Sequence, residues 1–341
     1  MTIVAGIDEA GLGPVLGPLV VSATAFRVPP ELAEVSMWQA LSACVGRKPG
    51  KRAATVAIAD SKKLYNSQST RGILNLERGV LAMLAAMGRR QADTKSLLAE
   101  VAPAALAHLS EYPWYNQAPL PLPRTAGAEG VALCGNALAV GMERAGFLSM
   151  GPLVMRSEVV FEGEFNRLVA ATDNKSVTLF DVTSRLLAML WRLSASEDML
   201  VFVDRQGGRM HYRESLQRLF PECPMKILDE TDLVSSYRLT EITRTGGQED
   251  GRKGGSKDTR RVEFHFLVEA EDKHLPVALA SMLSKYLREL FMEMFNGWWA
   301  GRVPRIAPTA GYYSDGNRFW SEILPQVQQM GLDTNMLYRS R

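Results

Sequence analysis

The period of apolar and polar positions changes repeatedly along the chain, and each change marks an element. Residues 2–5 form a short apolar run, and 19–26 are rich in Val, Ala and Leu. Between them, Gly6 to Pro18 is dense in Gly and Pro, which predicts strand, tight glycine turn, strand. From about residue 73 to 148 the chain turns Ala- and Leu-rich, and the runs 81–87, 96–101 and 133–140 predict helices. A Pro-rich loop from Tyr112 to Pro123 interrupts them. Residues 155–161 read as a strand, and 179–194 as a helix with Leu186, Leu187, Leu190 and Leu193 on a buried face. The unbroken apolar run 199–203 fits a strand covered on both faces. Residues 262–268 alternate cleanly, and a helix starts near Pro276 with Leu279, Leu283, Leu287, Leu290 and Met294 in register.

Composition narrows the class without naming a chemistry. At 341 residues the chain can bury one large core or two modest ones. An apolar fraction of 46% and a charged fraction of 22% are those of a soluble globular protein. The net charge of +2 means that any nucleic-acid surface must be a local patch. Cys44, Cys134 and Cys223 are odd in number and lack CxxC spacing, which speaks for a reducing compartment and against a disulfide framework or zinc site. There is no basic segment ahead of an apolar leader and no apolar run of about 18 residues, so the expectation is a cytoplasmic protein with no membrane span. Nothing in the pattern specifies an oligomeric state.

The candidate chemistry begins in the opening turn. Asp8 and Glu9 stand where the first strand ends, and alternation sends their side chains to opposite faces unless the glycines bend the backbone. Alone, such a pair is as compatible with a solvated turn. Three glycines and two prolines within eight residues, however, shape a rigid backbone that a polymer can approach closely.

The whole stretch, Gly6-Ile7-Asp8-Glu9-Ala10-Gly11-Leu12-Gly13-Pro14 through Gly17-Pro18, resembles the signature loop of the type 2 ribonucleases H (ribonuclease HII). That family consists of divalent-metal nucleases cutting the RNA strand, or an embedded ribonucleotide, in RNA–DNA hybrids. Three further blocks follow in the same order. Asp60-Ser61-Lys62-Lys63-Leu64, which by itself reads as a capped helix start, is similar to the family's Asp-Ser-Lys-Lys-Leu element. Asp204, ending an apolar strand before Gly207-Gly208, resembles its Val-Asp-Gly element. The helix containing Ala280-Ser281-Met282-Leu283-Ser284-Lys285 resembles the one after its last catalytic Asp.

The resemblance implies an α/β, ribonuclease-H-like mixed sheet flanked by helices. Its core would span 1–72 and 149–297, with 73–148 a helical insertion and 298–341 a C-terminal segment packed on the core. It also implies Asp8, Glu9, Asp204 and Asp272 as carboxylates holding Mg²⁺ or Mn²⁺, with Glu271 or Glu269 open as the fourth because the spacing to Lys285 is one residue short. Two such ions about 4 Å apart neutralise a scissile phosphate and activate a water, and hard cations prefer oxygen ligands. Lys62 and Lys63 would hold phosphates, and Gly11 and Gly13 would offer backbone amides. Tyr312 could stack on a sugar or base, or simply pack. Leu12 departs from the family, which has arginine there; leucine makes no charge-assisted bond to phosphate, so single-ribonucleotide preference is less supported than metal hydrolysis. The expected partner is an RNA–DNA hybrid or ribonucleotide-containing duplex. Alternatives are a relative that binds nucleic acid without cutting, or a nuclease with another substrate on the same fold. The basic stretch 243–261 reads as a solvated loop, with a phosphate-tracking flap as the functional alternative.

Overall fold

The computed structural model describes residues 1–50, 52–66, 69, 71–148, 151–194, 197–244 and 257–340. Seven strands form one mixed sheet: β1 (Thr2–Ala10), β2 (Leu19–Val28), β3 (Val154–Val160), β4 (Asp198–Asp204), β5 (Met225–Glu230), β6 (Val234–Arg244) and β7 (Lys257–Leu267). Their order across the sheet is β3-β2-β1-β4-β7-β6-β5. β2 runs antiparallel to both β1 and β3, whereas β1, β4 and β7 are mutually parallel. The C-terminal ends of those three parallel strands therefore lie along one edge of the sheet.

Alternation along β1 decides what each face receives. Ile3, Ala5 and Ile7 join Val201, Val203 and Phe264 in a core covered by helices α3 (Glu162–Thr172) and α4 (Lys175–Ser194). Val4 belongs to the opposite core, under helix α5 (Leu275–Ala300). α5 is buried nearly all round, as a helix sandwiched between layers should be. It crosses β1 so closely that a Cβ on Gly6 would lie 2.1 Å from the Val277 nitrogen, so only glycine permits this approach. The α/β architecture that the resemblance implies, a mixed sheet flanked by helices, is present.

Residues 73–148 pack into the same core as α5. Helices α1 (Leu74–Ala86) and α2 (Ala128–Arg144) lie against each other, and α1 also lies against α5. The buried carboxylate of Glu77 fastens this seam. It accepts from the backbone N–H of Arg124 (2.6 Å), Thr125 (2.6 Å) and Ala126 (2.7 Å), and from the Tyr286 hydroxyl (2.8 Å) on α5. The Pro-rich loop is anchored too: Trp114 and Tyr115 are buried against Phe295, Phe291 and Trp298 of α5. Burying side chains of this size stabilises by roughly 2–3 kcal/mol each. Helix α6 (Tyr313–Met330) sets Phe319, Ile323 and Val327 into the same core.

Two features differ from the pattern reading. β5 and β6 fall where no element is assigned from the sequence; β5 is a largely exposed edge strand whose Met225-Lys226-Ile227 carries little periodic signal. The strand assigned from 262 starts at Lys257, which takes Arg260 out of the basic loop. Arg260 is buried, donating to the carbonyl of Trp191 (3.0 Å) and the hydroxyl of Ser194 (2.8 Å) and pairing with Glu241. Residues 245–256 of that basic stretch lie outside the described residues. Among the described residues no helix is long and apolar enough to cross a membrane.

Candidate active site

The parallel strand ends bring the first carboxylates together. On the α5 side of the sheet, Val4, Gly6 and Asp8 follow one another in β1, as Leu200, Phe202 and Asp204 do in β4. The register pairs Ile7 with Val203, which sets Asp8 and Asp204 one step beyond it on neighbouring strands. Helix α5 holds Asp8 from above: the Ser284 hydroxyl donates to its backbone carbonyl (3.0 Å), and Ser281, whose hydroxyl donates to Ser61 (3.0 Å), lies beside its carboxylate. The Glu9 backbone N–H donates to Asp8 Oδ1 at 2.7 Å.

Asp204 in turn accepts from the Ala270 N–H at 3.0 Å. That bond ties the strand end to a 3₁₀ turn, Ala270–Asp272, entered through a left-handed Glu269 (φ 55°). The turn sends Glu271 and Asp272 in different directions. Glu271 is 8% exposed, interacts with Asp204, and has an Oε2 with no hydrogen-bond partner. Asp272 points outward to an ion pair with Lys63 (2.6 Å). The structure thus brings Asp8, Glu9, Asp204 and Glu271 within electrostatic reach of one another, and turns Asp272 outward.

Electrostatics mark the cluster as crowded with negative charge. Burial, then Glu9 and Asp204, push Asp8 well above the usual carboxylate range. Burial, then Asp204, lift Glu9 to about 8, with Lys62 opposing. Burial and Asp204 lift Glu271 to about 7. Burial alone would lower Lys62, but Asp60, Glu271, Asp8 and Asp204 outweigh it and hold the ammonium charged. Among the described residues no group of three or more His, Cys, Asp or Glu side chains is gathered closely enough to hold an ion as it stands. The donors the fold does bring near one another are carboxylate oxygens, the type a hard cation prefers, and among the described residues one of them, Glu271 Oε2, is buried without a hydrogen-bond partner.

Beside the carboxylates lies a groove of about 680 Å³, lined among others by Glu9, Gly11, Leu12, Gly13, Lys62 and Tyr312. Gly11 has φ +91°, and a Cβ there would meet the Pro18 carbonyl at 2.6 Å; Gly13 opens on free space. Tyr312 is half exposed, with the Arg288 guanidinium 5.6 Å from its ring centre. Of the two lysines, Lys62 lines the groove, whereas Lys63 is engaged with Asp272. Asp60, read as a helix cap, does cap the helix Ser61–Leu64 by accepting from Lys62 N–H at 3.0 Å, and adds a further negative charge near Glu271.

Sequence reasoning did not find a residue that holds the glycine loop of this groove. Arg339, fully buried, reaches the glycine loop from beneath and donates to the carbonyls of Gly11 and Leu12. A basic residue near a chain end carries no local signal of burial, and only its partners far away reveal it.

No protein-family model matches the chain, and a search of curated proteins found no match. Solved structures do resemble it. One is RNase HII from Archaeoglobus fulgidus, solved as a PCNA:RNase HII complex: 17% identity, TM-score 0.43, covering 99% of this chain and 94% of that one. Another is Bst-RNase HIII in complex with Mn²⁺, at 13% identity and TM-score 0.39, covering 99% of this chain and 66% of that one. A third is ribonuclease H2 from Pyrococcus horikoshii OT3, at 12% identity and TM-score 0.34, covering 98% and 92%. Likeness at this distance assigns no activity.

Proposed function

We propose that this chain is a divalent-metal-dependent endoribonuclease that hydrolyses the RNA strand of RNA–DNA hybrids. The observation that carries the reading is a set of four carboxylates, three on the ends of two neighbouring strands and Glu271 on the turn beside them, next to a groove lined by the glycine loop and Lys62. Asp8, Glu9, Asp204 and Glu271 are the residues that would hold Mg²⁺ or Mn²⁺. Bound there, the ions supply charge neutralisation at the scissile phosphate and an activated water.

The remaining roles belong to the chain itself. Asp8 and Asp204 are pre-positioned by Ser284 and the Ala270 N–H, so their placement is paid for on folding rather than on substrate binding. Lys62 lends a held positive charge to the phosphate backbone. Gly11 and Gly13 let a sugar–phosphate chain come close to the main chain, and Tyr312 offers a π-face for a sugar or base. Discrimination between RNA and DNA would come through the 2′-hydroxyl at the glycine loop.

The test is cleavage of labelled duplexes with Mg²⁺ or Mn²⁺, comparing a continuous hybrid, DNA with one ribonucleotide, and all-DNA, for the parent and Asp204→Asn. Cutting of ribose-containing duplexes that disappears in Asp204→Asn supports the reading. Tight binding of hybrid with no cutting by either ion overturns it in favour of a binding protein, and cutting of all-DNA alone overturns the substrate.

A further inference from the structure

Arg339 occupies an unusual place for an arginine. Its side chain has no exposed surface, and its guanidinium lies 3.6 Å over the Phe165 ring. One nitrogen of the fork donates to Gly11 O and Gly17 O (3.3 Å), the other to Leu12 O (3.0 Å). The backbone around it is tied down as well. Arg339 N–H donates to Val15 O (2.8 Å), and Asn166 receives the Ser340 N–H (2.7 Å) while donating to Tyr338 O (2.8 Å). Glu162 grips the same loop by accepting from Gly17 N–H (3.1 Å).

Burying a guanidinium is costly, and here it satisfies three carbonyls of one loop rather than a carboxylate fork. The geometry of the peptide gives this arrangement a consequence on the other side of the loop. In a planar trans peptide the C=O and N–H point in opposite directions. The Gly11 carbonyl shares its plane with the Leu12 N–H, and the Leu12 carbonyl shares its plane with the Gly13 N–H. Pulling both carbonyls down onto Arg339 turns both N–H groups away from it. The side away from Arg339 is the groove, which Gly11, Leu12 and Gly13 line and Arg339 does not. Among the described residues neither N–H donates to a protein acceptor.

We infer that Arg339 is a positioning residue: it sets two adjacent backbone N–H donors, of Leu12 and Gly13, toward the groove as a site for one substrate oxygen. The oxygen is a ribose hydroxyl or a phosphate oxygen of the bound strand. This rests on the nuclease reading for the identity of the substrate, but the orientation of the two amides does not. It also gives Leu12 an explanation: the residue contributes its main chain, held from behind by an arginine 327 positions away, and needs no charged side chain of its own.

The experiment compares the parent with Arg339→Lys and Arg339→Met. Lysine keeps the charge beside Glu162 but cannot hold two carbonyls in a fork; methionine keeps bulk alone. Each variant is measured by single-turnover cleavage of the hybrid, the single-ribonucleotide duplex and all-DNA, well below its thermal midpoint, and by the ¹⁵N–¹H signals of Leu12 and Gly13 after selective leucine and glycine labelling. The expected result is a fall in cleavage of about tenfold or more in Arg339→Met, since a lost charged hydrogen bond has that scale, with partial recovery in Arg339→Lys. Both amide signals should shift. A fall confined to ribose-containing duplexes identifies the oxygen as the hydroxyl; an equal fall in binding of all-DNA identifies a phosphate.

Cleavage within about twofold of the parent in both variants, with unmoved amide signals, overturns the inference. If the parent cuts nothing, the nuclease reading fails by itself, and the amide signals still decide: shifted in Arg339→Lys, the clamp stands; unmoved, it falls. Should Arg339→Met not fold, Arg339→Lys carries both readouts.

Discussion

Asp204 accepts a hydrogen bond from the backbone N–H of Ala270, so the carboxylate that ends one strand fixes the turn that carries another. The consequence is that Glu271, one residue further on, enters the cluster while Asp272 leaves it for Lys63.

Glu271→Gln and Asp272→Asn should therefore separate. Glu271→Gln removes a charge from the proposed ion-binding set, and single-turnover cleavage with Mn²⁺ should fall by about a hundredfold or more. Asp272→Asn loses only an exposed ion pair, worth less than about 1 kcal/mol, and should stay within about threefold of the parent. The reverse ranking would return the fourth ligand to Asp272.

The carboxylates also make the metal-free protein sensitive to pH. Glu9 is lifted from an ordinary 4.5 to about 8 and Glu271 to about 7, and Asp8 is raised as well. The folded state thus binds more protons than the unfolded state in this window. Their contribution to stability is fully present below about pH 4.5 and is lost as the pH rises through 7 and 8. In chelator, the thermal midpoint should fall between about pH 6 and 8.5. Adding Mn²⁺ should raise it more at the higher pH, because occupancy by a cation releases those protons. A midpoint that is flat in chelator, or an equal Mn²⁺ effect at both pH values, would contradict this picture.

Glu77→Ala should cost about 2–4 kcal/mol in urea unfolding, because it removes the acceptor of the buried Ala126 N–H, the part-buried N–H groups of Arg124 and Thr125 and the buried Tyr286 hydroxyl at once. An effect under about 1 kcal/mol would mean that the loop 124–126 is held by something else.

Leu12→Arg places a cation on the groove wall. The plot of log affinity for hybrid against log salt should steepen by about one unit, the signature of one more neutralised phosphate. Fluorescence anisotropy over a series of salt concentrations measures this, and an unchanged slope would place residue 12 away from the backbone path.

Much of this site is legible in the residues alone. Asp8 and Asp204 each follow an apolar run and precede a glycine turn, and such local signals survive in a single sequence. Glu271 against Asp272 is a different matter. Their phase depends on the left-handed backbone of Glu269 and on a bond to Asp204, neither of which has a residue-type signature. Glu77 looks like one polar position in an Ala/Leu helix, yet its acceptor role is set by Arg124 to Ala126 and by Tyr286, which are remote in sequence. β6 does carry a pattern, since Tyr237 and Leu239 alternate with Arg238 and Thr240, but β5 at the open edge offers no buried face to impose one.

The register that joins β1 to β4 has a temporal side. β1 and β2 are adjacent and can zip up as soon as both leave the ribosome, but the parallel neighbour of β1 starts at Asp198. Asp8 and Glu9 must therefore wait through nearly two hundred residues of synthesis before Asp204 joins them, longer for Glu271, and longest for the arginine that braces the glycine loop. A chain still being translated carries two of these carboxylates without the others, and the cluster is complete only once the turn that follows β7 has been made.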